Sequence, residues 1–156
     1  MPRIDATRAA VVTGSRYPKP HDAPCQGRSA IRLGDAAGLT QFGVHLLTLD
    51  PGVWSSQRHW HTHEDEFVYV LSGEVLLVTD AGAETLRAGD AAGFKAGDRD
   101  GHCLQNLSGA PARLLVVGTR NDADEGEYSD IDMKFLPGRY SGKGGFRRKD
   151  GSSFDP

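Results

Sequence analysis

The feature that most restricts the fold of this chain is a series of short apolar runs separated by turn residues. Between residues 41 and 119 such runs recur at regular spacing, each bounded by turn residues: FGVHLLTL, DEFVYVLSG, EVLLVTD, AGFKAG, HCLQNL and ARLLVVGTR. No segment keeps a helical period of apolar residues over more than two turns. Many short strands with frequent turns are typical of antiparallel sandwiches and barrels. The sequence therefore predicts an all-β protein.

The size and charge of the chain narrow the class of protein further. At 156 residues it is expected to form one domain that buries about 70% of its unfolded surface. The net charge of −3 indicates neither a nucleic-acid nor a membrane partner. The N-terminus lacks the apolar core of a signal peptide, and no apolar run approaches the roughly 20 residues of a membrane helix. We therefore expect a cytoplasmic protein. Cys25 and Cys103 form no CxxC pattern, so we expect two reduced thiols, with a disulfide as the alternative.

Changes in composition divide the chain into three parts. Residues 1–40 are expected to be an N-terminal extension with edge strands and loops, and residues 41–120 the barrel. Residues 121–156 are expected to add one strand near DIDMKFL and then a polar, Gly-rich tail. The tail carries Arg139, Lys143, Arg147, Arg148 and Lys149, a cluster that could bind phosphate. We expect a loose, solvated tail instead, because Gly and Ser provide no scaffold for those charges.

A histidine-rich stretch, RHWHTHEDEFVYVLSGE at residues 58–74, carries the strongest chemical signal. On a strand, alternate residues share a face. One face would then carry Ser55, Gln57, His59, His61 and, if the strand continues, His63, while Arg58 and Trp60 take the other. Two imidazoles at i and i+2 can both bind one divalent ion at about 2.0–2.1 Å.

An acidic residue follows at the start of the next apolar run. If Glu66 begins a strand, it faces the same way as Val68 and Val70, and the segment THEDE before it contains a turn. Phe67, Tyr69 and Leu71 then take the opposite face. A carboxylate that points into a barrel with two valines needs a partner, because an unpaired buried charge is costly. A metal ion bound by the histidines would be such a partner.

A second histidine-bearing run, GHCLQN, offers a fourth ligand. His102, Leu104 and Asn106 would share a strand face, and His102 would complete a set of three nitrogens and one oxygen. Such a set suits iron, manganese, nickel, cobalt, copper or zinc. The alternative is a solvated turn with hydrogen-bonded imidazoles. The alternation, the nearby acid and His102 favour a metal site.

At these residues the sequence resembles the cupin superfamily. Its first motif, G-x5-H-x-H-x3,4-E-x6-G, is matched by Gly52, His59, His61, Glu66 and Gly73, with one extra residue before His59. His63 lies too close to Glu66 to fit this spacing. The second motif, G-x5-P-x-G-x2-H-x3-N, is matched more loosely by Gly89, Gly97, His102 and Asn106, with Lys95 in place of proline and two extra residues before His102.

The resemblance covers residues 40–120 and implies both a fold and a site. The fold is a double-stranded β-helix, or jelly-roll barrel, with His59, His61, Glu66 and His102 as ligands of one divalent metal ion. Small cupins commonly form homodimers through their edge strands, which also covers exposed sheet edges. The whole chain is similar to small bacterial cupins that carry the label of sugar-phosphate isomerases.

The fold alone leaves the function open, because cupins include enzymes, storage proteins and sensors. The first hypothesis is a metal-dependent enzyme acting on a small polar metabolite, either an isomerase, such as a sugar-phosphate isomerase, or a dioxygenase. The expected ion is Zn, Mn, Fe or Ni. The second hypothesis is a non-catalytic metal- or ligand-binding sensor, and a metal-free barrel is a third.

No catalytic residue is assigned from the sequence. Gln57, His63 and Asn106 are candidates for substrate contacts. Their ordinary roles would be a polar strand residue, a solvated turn histidine and a hairpin support. A sugar-phosphate isomerase would also need a cation for the phosphate, and Lys95 and Arg113 are the candidates near the barrel ends.

Overall fold

A computed structural model describes residues 2–154 and confirms the all-β prediction. Its strands are β1 (Val11–Thr13), β2 (Arg28–Arg32), β3 (Phe42–Leu49), β4 (Glu66–Ser72), β5 (Glu74–Thr79), β6 (Gly82–Arg87), β7 (Ala91–Phe94), β8 (Cys103–Gln105), β9 (Ala112–Thr119), β10 (Gly126–Glu127), β11 (Lys134–Phe135) and β12 (Phe146–Arg147). A 3₁₀ turn (Ala23–Cys25) and a helix of four residues, α1 (Leu33–Ala36), complete the regular structure of this part of the chain.

Two antiparallel sheets enclose the main core. The larger has the order β1-β2-β3-β9-β4-β7 and the smaller the order β6-β5-β8. Apolar side chains from both sheets form one buried cluster, as expected for two sheets packed face to face. Its members are Ala30, Leu47, Leu49, Val68, Val70, Val75, Leu86, Leu104, Ala112 and Leu114. The two sheets form separate ladders, so the jelly roll is held by this shared core and not by a closed hydrogen-bonded barrel.

Strand β4 carries the predicted alternation of side chains. It begins at Glu66, and Val68 and Val70 are buried on the same inner face. Phe67 and Tyr69 point outward and are 42% and 37% exposed. Gly73, with φ of +78°, makes the turn into β5, where an added Cβ would lie 2.7 Å from the carbonyl oxygen of Pro111. A glycine is therefore required at this turn.

The outer face of the larger sheet carries two apolar rows. Tyr69 is paired with Leu115 across the ladder, Leu115 with Leu46, Leu46 with Ile31 and Ile31 with Val11. Directly opposed residues share a face, so these side chains form a continuous row across five strands. A shorter parallel row contains Phe67, Val117 and Val44.

The histidine segment differs from the predicted strand. Residues 55–58 are bends, and pairing is limited to isolated bridges. His59 bridges His102 on one side and Tyr128 on the other, while Trp54 bridges Gln105. Strand alternation across residues 55–63 was therefore a wrong expectation. His59 and His61 still meet, with their Nε2 atoms 3.1 Å apart.

The C-terminal region is ordered and packed, so the prediction of a loose tail was wrong. The predicted strand is present as β11, which pairs with β10 and β12 in a third small sheet. A second buried cluster contains Tyr128, Met133 and Phe135, against which Tyr17, Ile131, Phe146 and Phe154 pack. These aromatic and apolar side chains hold the C-terminal region in place, which its Gly and Ser content did not predict.

Two smaller expectations can also be compared with the structure. Cys25 and Cys103 are both buried free thiols, as predicted. Across residues 2–154 there is no helix with the length and hydropathy needed to span a bilayer.

Candidate metal centre

The three predicted histidines surround the carboxylate of Glu66 inside the jelly roll. Glu66 Oε2 lies 2.6 Å from His102 Nε2, 3.1 Å from His61 Nε2 and 3.6 Å from His59 Nε2. The Nε2 atoms of His59 and His61 are 3.1 Å apart. Glu66 is the first residue of β4, and His102 immediately precedes β8.

Hydrogen bonds on the far side of two imidazole rings fix their orientation. His59 Nδ1–H donates to the carbonyl oxygen of Gln57 at 2.8 Å, and His61 Nδ1–H donates to Asp124 Oδ2 at 2.6 Å. A ring that donates from Nδ1 presents the lone pair of Nε2 on the other side. The His102 ring is held differently, by stacking on Phe94 with centroids 3.6 Å apart.

Burial and hydrogen bonds shift the pKa values of these groups in opposite directions. Burial alone would raise the pKa of Glu66, but hydrogen bonds from His102, His59 and His61 outweigh it and hold that pKa well below its ordinary value. Burial lowers the pKa of His59. Burial also acts to lower the pKa of His61, yet the hydrogen bonds to Asp124 and Glu66 raise it to about 9. The site therefore holds one firmly ionised carboxylate among three imidazoles.

This geometry fits a divalent metal ion. Tetrahedral ligands about 2.0–2.2 Å from a metal ion lie about 3.3–3.6 Å from each other. The spacings among His59, His61 and Glu66 are 3.1 to 3.6 Å, and His102 is closer to Glu66, at the hydrogen-bond distance of 2.6 Å. One ligand atom each from His59, His61 and Glu66 lies within 4.8 Å of the other two, and His102 joins this set through its contact with Glu66 Oε2. Three imidazoles and one carboxylate are a donor set for divalent transition metals, including zinc, manganese, iron and nickel.

The three candidate substrate residues lie in other settings. Gln57 is buried and its side-chain amide donates to the carbonyl oxygen of His21 at 2.8 Å. Asn106 is fully buried and its amide donates to the carbonyl oxygens of Leu49 and Ala110. His63 is an exposed turn residue whose Nδ1 lies 2.7 Å from Thr62 Oγ1. The Gln57 contact supports the N-terminal segment, the Asn106 contacts support a loop, and the His63 contact lies within a turn. A substrate role for these three residues stays a prediction.

A cavity of about 210 Å³ adjoins the centre on the side of His61 and His102. Trp60, Leu77, Ala92 and Phe94 form its apolar walls. Polar groups also line it, including Lys95, Asp98 and Asp100. Of the two candidate phosphate-binding cations, Lys95 lies here. Arg113 lies at the opposite end of the sheet, paired with Ser72 at the end of β4.

The sequence interpretation missed a layer of residues behind His61. Glu64 was assigned to the turn, but it is only 3% exposed and accepts hydrogen bonds from Arg139 Nη2 at 2.5 Å and from the Tyr140 hydroxyl at 2.6 Å. Arg139 had been placed in the solvated tail. No spacing rule could reveal these contacts, because the partners lie about 75 positions apart in the chain.

The fold and the centre together define a class: small jelly-roll proteins with three histidines and one carboxylate in the interior. The Cupin domain family matches residues 45–118. A sugar phosphate isomerase of the cupin superfamily from Silicibacter pomeroyi is 45% identical, with 99% of this chain and 97% of that chain covered and a TM-score of 0.93. The protein belongs to the cupin superfamily, and the predicted jelly-roll cupin fold is confirmed.

More distant structures agree in fold. A candidate sugar phosphate isomerase from Acidithiobacillus ferrooxidans is 29% identical, covers 83% of this chain and 81% of its own, and has a TM-score of 0.74. The polyketide cyclase RemF from Streptomyces resistomycificus is 23% identical over 76% of this chain and 79% of its own, with a TM-score of 0.60, and shows the fold alone. None of the curated protein sequences matches this chain.

Proposed function

We propose that this cupin is a metal-dependent sugar-phosphate isomerase. The observation that carries the proposal is the convergence of His59, His61, His102 and Glu66 beside a small cavity that contains Lys95. Similarity over almost the whole chain to a sugar phosphate isomerase supports the same activity.

The centre would hold one divalent ion, Zn, Mn, Fe or Ni. When bound, such an ion polarises a carbonyl or enolate oxygen. The protein's own residues set its environment. Glu66 supplies the negative charge, while the Nδ1 contacts of His59 and His61 keep their Nε2 atoms directed inward.

The cavity is suited to a small, polar, anionic metabolite. Its volume of about 210 Å³ is below the roughly 300 Å³ at which pockets for drug-sized ligands begin. The Lys95 ammonium can bind a phosphate as a point charge. Asp98 and Asp100 can accept hydrogen bonds from sugar hydroxyls, and Trp60 and Phe94 supply apolar walls.

The test begins with the metal content of protein purified without chelators. The purified protein is then incubated with a panel of aldose and ketose phosphates in D₂O, and interconversion and deuterium incorporation are followed by NMR, with and without a chelator. We expect about one ion per chain and chelator-sensitive isomerisation. Protein with neither a stoichiometric metal nor a gain in thermal stability from divalent ions would contradict the proposal.

The same experiment separates the alternative functions. Bound iron with oxygen consumption and no isomerisation would identify a dioxygenase. A bound metal without turnover of any substrate would identify a binding or sensor cupin.

We also propose that the protein is a homodimer. The apolar row of Val11, Ile31, Leu46, Leu115 and Tyr69 supports this proposal, because a continuous apolar stripe on a sheet face is typical of an interaction surface. In this arrangement the contact lies on the face of the larger sheet, whereas the sequence had pointed to its edge strands.

A further inference from the structure

The C-terminal segment lies directly along the histidine segment. Thr62 N–H donates to the carbonyl oxygen of Glu125 at 2.9 Å, and Trp60 N–H donates to that of Glu127 at 3.3 Å. The two backbones thus run side by side at the point where His61 enters the metal centre. This pairing brings Asp124 against His61, although 63 positions separate them in the chain.

Asp124 is tightly bound in this position. One carboxylate oxygen, Oδ2, accepts from His61 Nδ1 at 2.6 Å, and the other, Oδ1, accepts from the backbone N–H of His63 at 2.9 Å. The side chains of Asp124 and His61 are 2% and 5% exposed. A buried carboxylate held at both oxygens cannot rotate freely, so it fixes the plane and the tautomer of the ring that it contacts.

We propose that Asp124 is a positioning residue of the metal centre. It holds the proton on His61 Nδ1, so that Nε2 faces Glu66 and offers its lone pair to a metal ion once the Nε2 proton is displaced. Carboxylates that accept from the second nitrogen of a metal-binding histidine orient the ring and increase its basicity. This inference rests on the proposed function, since it requires that the centre binds a metal.

The neighbouring carboxylate, Glu64, does not compete for this role. Its Oε2 lies 3.8 Å from His61 Nδ1, beyond hydrogen-bond distance, and it accepts instead from Arg139 and Tyr140. The donor atoms of His61, Glu64 and Asp124 are close enough to bind a second cation. The Arg139 guanidinium already provides the positive charge there, which leaves Asp124 as the acceptor for His61.

The test compares Asp124→Asn with Asp122→Asn. Asp122 belongs to the same segment and accepts from the backbone N–H groups of Tyr140 and Ser141, so its substitution perturbs the segment without changing the contact to His61. Zinc affinity is measured by competition with a chromophoric chelator. We expect Asp124→Asn to bind zinc about 10- to 100-fold more weakly, Asp122→Asn to bind as tightly as the wild type, and Asp124→Glu to recover part of the loss.

An NMR measurement on zinc-bound wild type keeps the test valid even if Asp124→Asn folds poorly. The inference expects a proton on His61 Nδ1, detected in ¹H–¹⁵N correlations of the imidazole and shifted downfield by the short hydrogen bond. A His61 that lacks this proton would overturn the inference.

The outcomes separate this inference from the proposed function. Equal zinc affinity of wild type and Asp124→Asn, or equal losses in both variants, would overturn the inference alone. A wild-type protein that binds no zinc or other divalent ion would overturn both.

Discussion

At the scale of single residues, Glu66 organises the interior of the protein. It lies on the inner face of β4 with Val68 and Val70, and directly opposite Gly118 of β9. Three imidazole nitrogens surround the carboxylate, at 2.6, 3.1 and 3.6 Å from its Oε2 atom. The ionised carboxylate of Glu66 accepts hydrogen bonds from the three imidazoles, which offsets the cost of burying these groups. The protonation state of the histidines therefore affects the affinity of the site for a cation.

Protonation of His61 predicts how metal binding depends on pH. Its pKa of about 9 means that the chelator-treated protein carries a proton on Nε2 at pH 7.5, which a metal ion must displace. We expect zinc affinity to rise with pH by up to about tenfold per unit as pH approaches 9. Isothermal titration in buffers of different ionisation enthalpy at pH 7.5 should show about one proton released by His61. Affinity independent of pH between 7 and 8.5 would contradict this expectation.

The charge of Lys95 predicts a specific kinetic change. Replacing it with alanine removes a charge-assisted contact of roughly 1.5–3 kcal/mol. We expect Lys95→Ala to raise KM for a phosphorylated substrate about 10- to 100-fold, with a smaller effect on kcat because the metal ligands are untouched. Arg113→Ala, at the far end of the sheet, is the control and should leave both constants unchanged. Equal effects of the two substitutions on KM would argue against a phosphate site at Lys95.

At the scale of elements, the site depends on segments that are poor strands by themselves. His59 is held by single bridges to His102 and Tyr128, and β10 contains only Gly126 and Glu127. The backbone of β10 can lie directly against residues 60–62 because Gly126 has no side chain. An added Cβ at Gly126 would lie 1.9 Å from the carbonyl oxygen of Trp60 and 2.7 Å from the Phe135 ring.

Gly126→Ala is therefore expected to force the two segments apart. The clash should lower the free energy of unfolding by about 1–3 kcal/mol, measured by urea denaturation. It should also weaken zinc binding, because Asp124 moves with β10. Gly109→Ala is a matched control, since an added Cβ there has no heavy atom within 4 Å. A Gly126→Ala protein as stable as the Gly109→Ala protein would show that this close approach is not required.

Local spacing explains which parts of the site could be predicted. His59, His61 and Glu66 fall within eight positions, and His102 follows in a second motif, so motif spacing was enough to select them as candidate ligands. The strand parity of Glu66 held, whereas that of the histidine segment did not. Asp124, Arg139 and Tyr140 reach the site through contacts that are distant in sequence. These are the backbone pairing of residues 125–127 with residues 60–62 and the packing of the C-terminal cluster against Tyr17. No periodicity in the sequence encodes such a long-range contact.

At the scale of the whole molecule, the two faces of the larger sheet have different roles. The inner face of the larger sheet holds the core and Glu66, and its outer face carries the apolar row that ends at Tyr69. Tyr69 is 37% exposed and Leu71 is 43% exposed. An apolar face of this extent is costly to leave in water, so we expect a second copy of the chain to cover it.

Tyr69→Lys is expected to convert the dimer to a monomer. A charge at the Tyr69 end of the apolar row would be desolvated without a partner, whereas Leu107→Lys, on a loop outside the sheets and already 66% exposed, should leave the dimer intact. Light scattering coupled to size exclusion would measure the mass at micromolar concentration. A monomeric wild type, or a dimeric Tyr69→Lys, would contradict the dimer proposal.

The position of the C-terminal segment also bears on how the centre matures during synthesis. Residues 59–102 and the last strand of the larger sheet leave the ribosome before β10 and Asp124, because synthesis proceeds from the N-terminus. A nascent chain can thus form the jelly roll while the outer side of His61 is still open to solvent. The final segment then closes behind this histidine, and the last quarter of the chain completes a site whose candidate metal ligands were all made earlier.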